Sequence, residues 1–366
     1  MALDRGQEET DLLIARIEED VKKHYELAQA EINVKVNDYW KRFKTKDKIK
    51  QAQVKAGEIT ENEYNQWRVN QMILGKRWED MRDVISNDLT NAQQIAESIA
   101  KGYIPEAYAI GANFGAYQIE SGCSLDTSWI LYDRPTVERI IKDNPDLLPE
   151  LNPLSETAKT IREGKINAWH KDQIQSTALQ GILQGESIPD IALRISNITK
   201  QDEKATIRYA RTMTTGAENA GRVDSYIRAK NMGIEMEQQW MATLDDRTRE
   251  SHRHLDGEHR PVGKKFSNGC RFPGDPEGSA DQIWNCRCTL IPMLTGIPEL
   301  DDINDLSNTE LRYNANLNGM TYEEWKKGHA TSQKITKQKE ISESMRNMTA
   351  REYKITAKRL KVNLDE

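Results

Sequence analysis

Four cysteines occur in the 366 residues, at 123, 270, 286 and 288, and three of them fall within one short window. That clustering suits a metal site or local packing better than a disulfide framework, whose cysteines are spread over the chain they tie together. The run Asn285-Cys286-Arg287-Cys288 delivers two thiols one residue apart, and His252 lies upstream on a short predicted helix. Two thiols and an imidazole can converge there on a soft divalent ion.

For those groups to meet, the chain around them has to turn often. From Trp240 the spacing predicts a strand ending near Thr243, then a short helix capped by Asp245 or Asp246 that presents His252 to one side, then a return at Asp256-Gly257. Asn268-Gly269 is a second dipeptide suited to a tight turn with positive φ, and Pro273-Gly274-Asp275-Pro276 is a further turn signal. Trp240 and Trp284 bracket the stretch and are expected to fill its small core. His254 and His259, beside the turn and amid charged neighbours, are expected at the surface.

The chain that carries this segment reads as helix. Leu13, Ile17, Val21, Tyr25, Ala28, Ile32, Val36, Tyr39 and Phe43 recur at three- and four-residue spacing, the period of one helix face. Ile59-Thr60-Glu61 opens a second stretch through Trp67, Ile73, Trp78, Met81 and Ile85, so residues 1–121 are expected to form an antiparallel helical N-terminal domain. Pro135, Asn144-Pro145 and Pro149 mark a connection over 122–154. Residues 155–298 should combine helices with a small α+β domain. Ser155 to Gln184 is a long helix, and Ser187-Ile188-Pro189-Asp190 has capping-box spacing with Pro in the first turn. Ala210, Met213, Ala217, Ala220 and Ile227 form a stripe of mostly small residues that lets a neighbouring helix approach before Gly233 ends the run. Residues 299–366 read as a polar linker carrying Met320-Thr-Tyr-Glu-Glu-Trp325, then a charged tail, helical or mobile unless a partner orders it. The fold class expected is therefore mainly α, with helical N-terminal and middle regions before the small α+β domain.

Composition narrows the functions. With 30% charged residues and a mean hydropathy of −0.79, the helices should be elongated with large solvated faces. No run approaches a membrane span and the N-terminus lacks the apolar stretch of a secretion signal, so synthesis in a cytoplasm is expected. A net charge of −6 argues against a chain that coats nucleic acid over its whole surface. The basic runs Lys41 to Lys50 and Lys334 to Lys361 would form a DNA surface only if they cluster in three dimensions.

The order of the motifs is more specific than any one of them. Trp240, the run Asp245-Asp246-Arg247-Thr248, His252 three residues before Leu255-Asp256-Gly257, the Pro-Gly-Asp-Pro turn and the closing Asn285-Cys286-Arg287-Cys288 together resemble the Mu F-like family of phage head-morphogenesis proteins. Ala210-Arg211-Thr212 and Asn219-Ala220-Gly221-Arg222 upstream are similar to that family's lead-in, so the clear resemblance covers residues 205–292. It implies a minor head (minor capsid) protein of a tailed bacteriophage, made in the host cytoplasm and found in the virion head or portal region. The implied partners are the portal protein, capsid or scaffold proteins, and packaged DNA contacted during packaging or ejection. No membrane, small-molecule substrate or catalytic activity is implied. Many relatives also carry a Cys pair around the Asp-x-Arg-Thr step and a His near the closing Cys-Arg-Cys, which looks like a metal-ligand set. Here Arg249 and His252 stand at the positions of those two thiols, and Ile283 at that of the later His. Cys270 can compensate, giving a Cys₃His structural zinc set of His252, Cys270, Cys286 and Cys288, although Cys-x-Cys is tighter than the usual knuckle. Otherwise these cysteines are small buried packing residues and His252 hydrogen-bonds the loop.

Two enzymatic readings compete. Asp245, Asp246, His252 and His254 could serve a metal-dependent nuclease, which needs an activated water and a metal on the scissile phosphate. Thiolate-rich saturated sites are structural, however, and no separate carboxylate cluster for magnesium occurs here. Arg211, Thr214-Thr215 and Glu235-Met236-Glu237 stand in the Arg, Ser/Thr, Glu-x-Glu order of ADP-ribosyltransferase-like enzymes. Their spacing is compact, and Arg211 and the threonines fall on one predicted helix where a nicotinamide cleft would need separate strands.

Overall fold

The computed structural model describes residues 4–41, 44–72, 76–123, 129–143, 155–295 and 320–330, together with Leu74 and Leu148. The chain is mainly helical, as its periodicity predicts. Helices α1 (Arg5–Lys41), α2 (Lys44–Lys55), α3 (Glu61–Met72), α4 (Lys76–Gly102) and α5 (Ile104–Cys123) come first. They are followed by α6 (Arg134–Asp143), α7 (Glu156–Leu183), α8 (Ile188–Ser196) and α9 (Ile198–Asn231). A three-stranded antiparallel sheet then forms from β1 (Met236–Met241), β2 (His259–Pro261) and β3 (Thr289–Leu294), in the order β2-β1-β3. Its connections hold the single-turn helices α10 (Glu250–Arg253) and α11 (Ala280–Ile283), and a further helix, α12, spans 322–330.

The ends of the helices follow from side-chain caps. Thr60 and Glu63 cap α3 reciprocally, through Thr60 N to Glu63 Oε2 at 2.8 Å and Glu63 N to Thr60 Oγ1 at 3.2 Å. Ser155 accepts from Ala158 N at 3.2 Å to start α7, and Ser187 accepts from Asp190 N at 3.4 Å to start α8. At the turns, Gly233, Gly257 and Gly269 all take the positive φ expected of them.

With 37 residues, α1 is about 55 Å long and serves two separate apolar cores. Leu13, Ile17, Val21 and Tyr25 enter the first, and Ile32, Val36 and Trp40 the second, each no more than 1% exposed. The second core is closed by Trp78, Met81 and Ile85 of α4, Ile174 and Ile182 of α7, and Ile191 and Ile195 of α8. Between the two lies a buried polar layer. His170 of α7 hydrogen-bonds Thr90 of α4 at 3.0 Å and Asp202 of α9 at 3.1 Å, and Tyr25 meets Thr206 at 3.0 Å. Phe43 and Ile73, which the periodicity placed on helix faces, lie outside the described side chains.

The first core does not divide where composition changes at residues 121 and 155. It draws on α1, α4, α5, α9 and the sheet, and takes in Trp129 and Val137 from the connecting segment. It also takes in Tyr322 and Trp325 of α12, whose rings pack on Phe114 and Tyr117 of α5, so residues 320–330 of the polar C-terminal region are docked. The basic run Lys334 to Lys361 lies outside the described residues.

The most extensive helix pair is α5 with α9. Its close approach requires glycine at the crossing, since a Cβ at Gly221 would lie 2.2 Å from the Tyr108 carbonyl oxygen and one at Gly111 would overlap the Glu218 carbonyl. Ala210, Ala217 and Ala220 are buried there as their spacing predicts, but Ile227 is 42% exposed. The helix turns Val223 and Tyr226 inward in its place.

Candidate functional site

His252, Cys286 and Cys288 come together in the segment that follows α9. They are 2%, 3% and 3% exposed, and Cys286 Sγ and Cys288 Sγ stand 3.6 and 3.4 Å from His252 Nδ1. Among the described residues this is the one group of His, Cys, Asp or Glu with ligand atoms close enough to hold a metal ion. The hydrogen bond from Cys286 holds the Cys288 thiol well below its ordinary pKa against the effect of burial, with His252 acting in the same direction. Soft sulfur and imidazole donors of this kind suit zinc or a related ion.

The residues between β1 and β3 build that position from main-chain demands. Trp240, 1% exposed, meets His252 and Phe266 edge-on with centroids 5.3 and 5.2 Å away. Its amide donates to Glu258 O at 2.8 Å and its carbonyl accepts from Gly257 N at 2.9 Å, while Asp256 Oδ1 accepts from Ala242 N at 2.9 Å. The Leu-Asp-Gly motif is thus the closure of the β1–β2 hairpin. Neither Asp245 nor Asp246 caps α10, whose first turn begins after Arg249 with no side-chain cap. Asp245 instead folds its own loop by accepting from Arg247 N at 3.0 Å and Thr248 Oγ1 at 3.0 Å. It also takes a two-pronged contact from Arg287, and this holds its carboxyl below the usual range. Asp246 is exposed. Asn285, the one described non-glycine residue with positive φ, at 54°, reverses the chain just before the thiol pair.

Cys270, included with the zinc ligands on the sequence, is not part of the cluster. Its turn places the sulfur beside Gly278, where an added Cβ would meet it, and burial pushes the thiol up to about 11. Trp284, expected in the core, is half-buried with the Arg208 guanidinium 5.4 Å from its ring, because α11 leaves it at the rim. His254 and His259 are exposed, beside Glu250 and Glu237. The four residues of the nuclease reading therefore do not converge. Of the transferase set, Arg211 pairs with Glu18 at 2.6 Å, Thr214 and Thr215 are buried in α9, and Glu237 sits on β1 against His259.

Four residues outside the predicted ligand set hold the site, and of these Gln238 alone carries no motif signal. Asn219, fully buried on α9, donates to Cys288 O at 3.3 Å and accepts from Leu290 N at 3.1 Å, tying β3 to the helix. Arg222, one turn on, bonds Asp4 at 2.8 Å, Glu218 at 2.5 Å and Leu290 O at 3.0 Å. Burial pushes Glu218 up to about 7 against the pull of that arginine. Gln238 donates to Lys264 O at 3.0 Å and Arg271 O at 2.9 Å and accepts from Gly263 N at 3.1 Å. Asp275, in the Pro-Gly-Asp-Pro turn, accepts from the Arg271 amide at 2.8 Å and its guanidinium at 2.7 Å. Alternation along β1 points Gln238 inward with Met236 and Trp240, the one cue that could have identified it.

A groove of about 840 Å³ runs between α1, α9 and this segment, and Asp11, Glu18, Arg211, Asp245, Cys286 and Cys288 are among its lining residues. Among the described residues no helix is long and apolar enough to cross a membrane.

Comparison with known proteins supports a class. Residues 172–291 match the family described as Phage Mu protein F like protein, which bears out the resemblance carried by Trp240 to Cys288 and extends it upstream into α7. Phage minor head proteins are the class that this match supports, together with the relative that follows. The chain is 25% identical over 336 residues to Minor head protein GP7 of Bacillus phage SPP1, covering 88% of this chain and 97% of that protein. It is 33% identical over 135 residues, 36% of its own length, to NAD(+)--arginine ADP-ribosyltransferase EFV of Enterococcus faecalis, of which it spans only 28%. It is also 28% identical over 128 residues to YqbB of Bacillus subtilis, covering 33% of this chain and 41% of that one. No solved structure matches.

Proposed function

We propose that this protein is a structural component of a tailed-phage head, built in during head assembly through contact with the portal protein. The observation that carries this reading is the end-to-end similarity to a minor head protein, 88% of one chain on 97% of the other. The fold is in keeping with it. The long helices keep solvated faces with uncovered apolar residues, Leu27 and Val34 on α1 and Ile161 and Trp169 on α7, which can gain buried surface on docking. The acids of the turn-rich segment are engaged by arginines, Asp245 by Arg287 and Asp275 by Arg271, which favours a structural over a catalytic role for them. The exposed lysines 44, 46 and 48 on α2 and the basic run Lys334 to Lys361 are the candidate contacts with packaged DNA.

Co-expression with the portal protein encoded beside it, followed by size-exclusion chromatography, tests the reading. Co-elution and recovery of the protein in purified heads are expected. Elution as separate species, with heads that lack the protein, would refute it. Deleting residues 332–366 should weaken DNA retention more than portal binding. A second reading, transfer or hydrolysis of NAD, is favoured only by the partial match to the transferase. It predicts NAD consumption that an Arg211→Ala change abolishes.

A further inference from the structure

We propose that His252, Cys286 and Cys288 form a three-ligand site for one zinc ion, with Cys270 outside it. The geometry is the first ground. Zn–S bonds of about 2.3 Å and a Zn–N bond of about 2.0 Å at tetrahedral angles put nitrogen and sulfur about 3.5 Å apart. The two Nδ1–Sγ distances are 3.6 and 3.4 Å, and all three ligand atoms lie within 4.8 Å of one another, which leaves a common centre at bonding distance. A single thiol–imidazole hydrogen bond would favour one sulfur over the other, since a ring nitrogen offers either one proton or one lone pair.

The orientation of the ring is the second ground. His252 Nε2 is buried with no hydrogen-bond partner, while Nδ1 is turned to both sulfurs. Orphaning one ring nitrogen is costly, and the position of the ring is explained by what Nδ1 faces. Trp240 packs against the imidazole and fixes that orientation. The chain is also built to bring the thiols there. The left-handed Asn285 turns it immediately before Cys286, and Asn219 clamps the main chain at Cys288. Both cysteines line the groove, so a fourth donor, water or a side chain of a docked partner, has access from that side. The site therefore differs from the closed four-ligand knuckle that the cysteine count suggests.

Full-length protein purified from zinc-supplemented medium and analysed by inductively coupled plasma mass spectrometry should hold about one zinc per chain. Cys286→Ser and Cys288→Ser should each lower that content about tenfold, and Cys270→Ser should leave it unchanged. Because the first two variants can also loosen the fold, cobalt substitution of the unmodified protein supplies a second measure. Sulfur-to-cobalt charge-transfer bands and intense tetrahedral ligand-field bands are expected. Less than about a tenth of an equivalent of zinc with no such bands would overturn the site. So would loss of zinc in a folded Cys270→Ser variant, or a Cys286–Cys288 disulfide in the purified protein.

Discussion

The helical body and the turn-rich segment from β1 to β3 are ordered by different kinds of group. In the body, α1, α4, α7 and α8 meet through Ile, Val and Trp side chains at helical spacing. In the segment, the strands are short and bury scattered apolar side chains such as Met236, Trp240 and Leu290, and the side chains with the most hydrogen-bond partners are polar. Gln238, Asp275, Asn219 and Arg222 each bond main-chain groups or carboxylates that would otherwise be buried alone. The difference has a physical origin. A long helix satisfies its own peptide groups except at its ends and needs only an apolar face, whereas turns and four-residue helices leave donors and acceptors that side chains must meet.

Removing the arginine that joins the two regions should have the largest effect. Arg222→Ala leaves Asp4 and Glu218 buried without their cation, and roughly 3–5 kcal/mol of stability should be lost in urea unfolding. Hydrogen exchange should then rise in β3 and the start of α1, while α7 and α8 keep their protection. A loss under about 1 kcal/mol would mean that the seam does not depend on this ion pair. Gly221→Ala comes next. The added methyl meets the Tyr108 carbonyl, so α5 and α9 must separate at a cost of about 3 kcal/mol. The same change at Gly164, where nothing lies within 4 Å, should instead stabilise α7 by about 0.5–1 kcal/mol. Thermal unfolding of the two variants reads both signs.

The same distinction decides what could be read in the sequence. The apolar stripe of α1, the helix starts at Thr60 and Ser155, the capping box at Ser187 and the turns at Gly257 and Gly269 are local signals, and each lies where its spacing predicts. Trp240 and the convergence of His252 with Cys286 and Cys288 were legible as a motif. The exclusion of Cys270 was not, because it depends on how the 270–278 turn lays its sulfur beside Gly278. Nor could the sequence show that α12 docks through Tyr322 and Trp325, since two aromatics in a polar stretch do not reveal the α5 surface that receives them. Arg222 and Gln238 are polar residues in an amphipathic helix and a short strand, where the ordinary expectation is solvent. Only the assembled fold reveals the acids and carbonyls they face.

Two smaller tests separate side-chain satisfaction from backbone geometry within the turn-rich segment. Gln238→Ala strips partners from Lys264 O, Arg271 O and Gly263 N, and should cost about 2 kcal/mol with faster exchange at the Gly263 amide. Asn285 tests the backbone alone. Its φ of 54° places it in the left-handed region, which asparagine tolerates, alanine resists and glycine adopts freely. Asn285→Ala should therefore lower stability by about 1 kcal/mol, and Asn285→Gly should leave it within a few tenths. Equal losses in both variants would place the role of Asn285 in its side chain and not in the turn. If only the alanine variant also loosens Cys286 and Cys288 towards thiol-reactive reagents, the left-handed turn is what sets those sulfurs beside His252.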